Sequence, residues 1–241
     1  MTEDIKKLLD IGLNEKDNNG KTPLMLAAWH GDLETVKELI QSGADVSLKD
    51  NLGNNAVHYA SRQNNKNVLS VILKTSADKN LKSSSGYNQT PIFTPAETEN
   101  IPILQILLEN GADPDIQDKG KFTPLQWAAQ QGKVKSIKML LKYGAKINTK
   151  SSKGITPLIS ASIKGILESV ALLVDAGAEI NAIAKNGYTA LMYAAYYGHS
   201  EIAKYLLSRN ADKNITTAKE ETALSIAEKN KFDAVVSLLK E

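Results

Sequence analysis

This sequence predicts an all-α fold, an α/α repeat solenoid of stacked helix-turn-helix units, and three observations predict it. The stretch Thr123 to Asn148, TPLQWAAQQGKVKSIKMLLKYGAKIN, returns along nearly the whole chain, its copies aligning on Thr22, Asn55, Thr90, Thr123, Thr156, Thr189 and Thr222. Thr123, Thr156, Thr189 and Thr222 follow one another at 33 residues, and only the step from Asn55 to Thr90 is longer, at 35. A fixed period of about 20–50 residues marks a chain built of stacked units. Inside each copy the apolar residues fall at helical rather than strand spacing. Finally, 42% of the residues are hydrophobic but only 5% aromatic, which suits a continuous core of Ala, Leu, Ile and Val between closely packed helices.

One period explains its own elements. Thr123 can accept from free amides at a helix start, and Pro124 fits the first helical position because its missing donor would be unpaired there anyway. Leu125, Trp127, Ala128 and Ala129 form a short apolar face, in which Trp127 is assigned to the core. Gly132 ends that helix in a left-handed conformation. A second helix carries Val134, Ile137, Leu140 and Leu141, and Gly144 closes it.

The sequence TPL, then AA, then G, LL, GA and IN, resembles the ankyrin repeat. The same likeness is carried by TPLMLAAWHGDLETVKELIQSGADVS from Thr22 and TALMYAAYYGHSEIAKYLLSRNADKN from Thr189. It implies stacked helix-turn-helix units whose connecting loops project as β-hairpin fingers. It also implies a concave face, lined by finger tips and first helices, on which partners bind. The organisation expected is a single domain over residues 1–241, with a half-repeat cap at 1–17, six repeats over 18–217 and a capping repeat at 218–241.

Taken in order, Ile5, Leu8 and Leu9 match second-helix positions without a first helix before them. That is expected of an N-terminal cap, with a piece trimmed from a longer protein as the rival explanation. Gly20, Lys21 and Thr22 resemble the end of a phosphate-binding loop, but that motif needs another Gly where Glu15 stands. The units at Asn55 and Thr90 depart most. Asn64 and Ser76 replace the two glycines, the loop KSSSGYNQ gains two residues, Pro95 stands inside a first helix, and Glu99 takes a Gly position. Their junction is expected to be the weakest in the stack. The units at Thr123 and Thr156 return to pattern, with Ile155 and Ile163 as unusual apolar surface positions. The last unit places Glu228, Asp233 and Lys240 where inner units are apolar, as a terminal unit with a polar outer face requires.

Charge and composition narrow the function. A net charge of +2 gives no global attraction to nucleic acid or to an anionic membrane, and Arg occurs only at Arg62 and Arg209, which argues against specific base reading. With no Cys there is no disulfide, thiolate zinc site or thiol nucleophile. The start MTEDIKKLLD lacks a long apolar run, so neither a signal peptide nor a membrane span is expected, and a cytoplasmic location is, with export left open. The three His residues, His30, His58 and His199, show no metal spacing. The sequons at Asn88 and Asn214 are short enough to arise by chance, and Thr90 is assigned to a helix cap.

Residues that the repeat does not require are the partner-binding candidates: Trp29, His30, Arg62, Tyr87, Phe122, Gln130, Ile155, Ile163, Lys164, Tyr188, Tyr196 and Tyr197. Phe122, Ile155 and Tyr188 each precede a capping Thr, so they should form a row along successive fingers, which Tyr196 and Tyr197 extend inward with Lys153, Lys164 and Lys185 around it. Exposed aromatics with a polar rim suit a binding hot spot; the competing reading is a row that packs finger against finger. The function expected is a non-enzymatic scaffold or adaptor, monomeric, binding a protein or peptide without cofactor, metal or membrane. The alternatives are an inhibitory or regulatory binder of an enzyme and a non-specific nucleic-acid-binding protein.

Overall fold

The computed structural model describes residues 1–84 and 86–241. Ser85, within the lengthened loop KSSSGYNQ, lies outside the described residues. The chain divides into two compact units, Met1–Lys119 and Gly120–Glu241. Among the described residues there are fifteen helices and no strand. The first unit holds α1 (Glu3–Leu9), α2 (Pro23–His30), α3 (Leu33–Gln41), α4 (Ala56–Arg62), α5 (Lys66–Leu73), α6 (Phe93–Thr98) and α7 (Ile101–Glu109). The second holds α8 (Pro124–Gln130), α9 (Val134–Lys142), α10 (Pro157–Lys164), α11 (Leu167–Asp175), α12 (Ala190–Tyr197), α13 (Ser200–Ser208), α14 (Ala223–Asn230) and α15 (Asp233–Lys240).

Helices this short are marginal alone, because nucleation is costly and few bonds repay it. Three local devices support them. The hydroxyls of Thr22, Thr123, Thr156, Thr189 and Thr222 accept from the backbone amide three residues on, and Asn55 does the same for α4. Inside each unit, first helices pack on first helices and second on second, α8 on α10 and α10 on α12 for example, burying Leu125, Leu140, Leu158, Leu173 and Leu206. The recurrent Asn near the end of the period is a staple: Asn14, Asn80, Asn148 and Asn181 each accept, through the side-chain oxygen, from a backbone amide one period away, on Asp45, Asp113, Glu179 and Asp212.

The turn after each first helix is left-handed even where Gly is absent, at Asn64 (φ 58°), Glu99 (φ 60°) and Lys231 (φ 60°). Gly has a second reason to stand there. A Cβ on Gly198 would lie 2.4 Å from the Phe232 ring, and one on Gly165 would lie 2.8 Å from His199, so the glycine also makes room for a side chain of the next repeat.

The two units with irregular sequences resolve their conflicts in ways that correct the expectations. Ser76 is not left-handed; the end of α5 is closed instead by Thr75, whose hydroxyl donates to the Ile72 carbonyl and accepts from Ala77. Thr90 does not cap a helix. Proline is tolerated only in a first turn, where its missing amide hydrogen costs nothing. Accordingly α6 begins at Phe93, so that Pro95 falls in that turn, and the buried Thr90 hydroxyl makes no hydrogen bond to the described residues. The fingers are hairpins in outline, each closed by about one backbone bond, such as Ala184 N–H to the Tyr188 carbonyl at 2.9 Å, which is too little to make a strand. Neighbouring fingers are linked the same way, for example Lys185 N–H to the Lys153 carbonyl at 3.0 Å.

Candidate functional site

In the first unit the exposed face of the first helices is closed by its own side chains. Trp29 meets Tyr59 edge-to-face at 5.7 Å, and the Lys21 ammonium sits over both rings, 5.7 Å and 5.4 Å from their centres. Tyr59 is buried, and its hydroxyl donates to Asp50 at 2.5 Å. Asn54 also donates to that carboxylate, and Arg62 donates to the Asn54 side chain at 3.1 Å. Burial pushes the Asp50 carboxyl up, but the donors from Tyr59, Asn54 and the backbone outweigh it and hold it below the usual range. Burial, with the Asp50 carboxylate beside it, raises the Tyr59 hydroxyl far above its ordinary value. His58 is buried as well, bridging the Asn55 amide and the Gln89 carbonyl; burial, then the charge of Arg62, lowers its pKa to about 4. These groups latch fingers to helices.

The second unit is organised differently. Tyr188, on a finger, lies 5.2 Å from the ring of Tyr193 and 6.3 Å from that of Tyr196; Tyr196 lies 4.9 Å from Tyr197, which stacks on His199 at 5.9 Å. Tyr196 and Tyr197 are exposed at 44% and 45%, while Tyr188 and Tyr193 are half-buried. This aromatic wall bounds a hollow of about 470 Å³ whose other sides include Asn186, Thr217, Lys219 and Glu221. A second hollow of about 440 Å³, lined by Ser152, Lys153, Ile155 and Lys185, shares Asn186 and Tyr193 with the first. Between them the Asn186 side-chain amide donates to the Tyr193 hydroxyl at 3.0 Å. Burial raises the hydroxyl of Tyr188, with Glu221 adding to it, and burial raises that of Tyr193.

The expected residues fare unevenly. Tyr188, Tyr196 and Tyr197 come together as expected. Ile155 does not stand in an exposed row: at 7% exposure it is the floor of the second hollow, its carbonyl accepting from Gln126 at 2.5 Å. Ile163 is half-buried, Gln130 likewise, and Lys164 is exposed. Phe122 is half-buried and packs on Trp127 at 6.0 Å, so Trp127 is not a core residue as expected. Its position, four after the capping Thr, faces the returning finger, as Tyr193 does on Tyr188. Trp29, His30, Arg62 and Tyr87 are exposed and belong to the first unit. Tyr193 and Asn186 were missed, although the shared register of Tyr59, Trp127 and Tyr193 in the repeat is a signal that could have found them. Among the described residues no three His, Cys, Asp or Glu gather where they could hold a metal ion, and no helix is long and apolar enough to cross a membrane.

The sequence profile described as ankyrin repeats (3 copies) matches residues 1–83, 78–151, 94–184, 148–217 and 179–241, which together span the chain. The chain belongs to the ankyrin repeat family. This ankyrin-repeat protein is similar in structure to the ankyrin repeat domain of Bcl-3, with a TM-score of 0.84 and 25% identity over 93% of this chain and 100% of that one. No curated protein matches its sequence. The family assignment and this likeness support a protein-interaction scaffold in general terms; the fold is typically a non-enzymatic interaction module.

Proposed function

We propose that this ankyrin-repeat protein is a non-enzymatic scaffold or adaptor that binds a partner protein or peptide through finger tips and first helices, chiefly those of the second unit. The observation that carries this reading is the open tyrosine wall. Tyr196 and Tyr197 are exposed on α12 and border a hollow, whereas the repeat itself needs neither ring for packing. Large aromatics with a polar rim are the residues on which binding energy concentrates. The likeness to a repeat domain of an IkappaB family member agrees with a protein partner. The single domain over residues 1–241, monomeric and cytoplasmic, belongs to the same proposal.

The test is capture of partners from a native lysate by the wild type, by a Tyr188→Ala/Tyr197→Ala variant, and by a Leu167→Ala variant, Leu167 being exposed on a second helix. Partners held by the wild type and the Leu167 variant but lost by the tyrosine variant are expected. Equal capture by all three would refute the assignment of the face.

A further inference from the structure

Two hollows side by side, sharing Asn186 and Tyr193, form a groove across the fingers at residues 151–155, 184–188 and 217–221. Its floor is apolar, made of tyrosine rings and Ile155. Its polar groups are unbalanced. Lys153, Lys185 and Lys219 line it, all exposed, and none forms an ion pair with the described residues. Glu221, the one carboxylate in the lining, is already paired with Lys229 at 3.2 Å. The hydroxyls of Tyr188, Tyr196 and Tyr197 make no hydrogen bond to the described residues, in contrast to that of Tyr193. The groove therefore offers three ammonium groups and three uncommitted hydroxyl donors around an aromatic floor.

We infer that this groove binds an acidic peptide segment, one bulky apolar side chain entering the tyrosine hollow while flanking Asp or Glu carboxylates meet Lys153, Lys185 and Lys219. The inference rests on the proposed binding role of the finger and first-helix face, and it adds the chemistry of the partner. Charge decides it. Aromatic faces attract cations too, and a cluster of four tyrosines would suit an ammonium ligand if anionic groups lay around it. Three free ammonium groups line the hollows against one exposed carboxylate, Glu220, which lies on the same finger but outside the lining. The balance is positive, so a basic ligand is repelled and an acidic one steered in. The first unit shows the contrast: over its aromatic pair the cation slot is filled by the chain's own Lys21. A carboxylate also accepts from both ammonium and hydroxyl donors, in charge-assisted bonds stronger than neutral ones.

The experiment is selection of a random peptide display library, of about twelve residues per member to span the groove, on the full chain. Selected peptides are then titrated by fluorescence anisotropy against three proteins: wild type, Tyr196→Ala/Tyr197→Ala and Lys153→Glu/Lys185→Glu. All four positions are exposed, so both variants should keep the fold, which circular dichroism checks. Enriched sequences should combine Asp or Glu with one large apolar residue. They should bind at least about tenfold more weakly to each variant, a difference of about 1.4 kcal/mol, and more weakly as salt is raised. Enrichment of basic peptides, or of acidic ones indifferent to both variants, would overturn the inference while leaving an interaction module in place. No enrichment at all would overturn the inference together with the interaction reading beneath it.

Discussion

The same repeat register is used in opposite ways in the two units. Four residues after the helix cap, Tyr59 in the first unit is buried and bound to Asp50, while Tyr193 in the second is half-buried at the edge of an open hollow. One residue before the repeat's Thr or Asn, the first unit carries Lys21, Asn54 and Gln89, all of them polar, and the second carries Phe122, Ile155 and Tyr188 before its last repeat turns polar at Glu221. In the first unit polar groups are spent on one another; in the second, the tyrosine rings pack on each other beside an open hollow, and Lys153, Lys185 and Lys219 form no ion pair with the described residues. The lesson is that an aromatic residue on this face marks a binding surface only when the residues around it leave it uncovered. Trp29, capped by Lys21, is a weaker prospect than Tyr197.

The comparison can be broken most forcefully at the core of the second unit. Leu140 is fully buried, and Leu140→Ala should destabilise by about 2–5 kcal/mol through lost burial and a cavity, whereas Tyr197→Ala, at an exposed site, should stay within about 0.5 kcal/mol. Urea denaturation of both separates structural from spare residues; a large loss at Tyr197 would mean the wall is a packing element.

A pH effect follows from His58. Its pKa is about 4 in the folded chain against an ordinary 6.5, so the folded ring stays neutral while the unfolded chain takes up a proton. Stability from this group is present in full above about pH 6.5 and falls as pH drops towards 4, by about 1.4 kcal/mol per unit within that window. Gln126 performs the equivalent task in the second unit without titrating, reaching the Ile155 carbonyl from the same register. His58→Gln should therefore flatten the profile between pH 6.5 and 4.5, which thermal melts across that range would show.

The polar latch itself is tested by removing one hydroxyl from each unit. Tyr59→Phe deprives a buried carboxylate of a donor and should cost about 1.5–3 kcal/mol. Tyr193→Phe loses only its bond from exposed Asn186 and should cost less than about 1 kcal/mol. Equal costs would erase the difference between the units. A gain rather than a loss is expected at Pro95. Replacing it with Ala lets α6 begin earlier and Thr90 take up its cap, a gain of about 1 kcal/mol in chemical denaturation.

How much of this was legible in the sequence depends on the range of the interaction. Period, helix pairs, caps and the left-handed turns are set by local chemistry, and Thr22, Thr123 or Gly132 announced them. The tyrosine cluster was half visible, because Tyr188, Tyr196 and Tyr197 stand where the repeat requires no aromatic. Burial of Ile155 and the half-exposed place of Trp127 depend on how a finger folds back over a helix, which spacing alone does not encode. Thr90 shows the limit most plainly: its local signal for a cap was sound, but Pro95 five residues later displaced the helix start.

The most direct measurement is a hydrogen-exchange footprint of the full chain with and without a bound acidic peptide obtained by selection. Slowed exchange confined to residues 151–155, 184–199 and 217–221 is the predicted result. Slowed exchange at the first unit's fingers, residues 17–21 and 50–54, with none at the tyrosine wall would contradict the account.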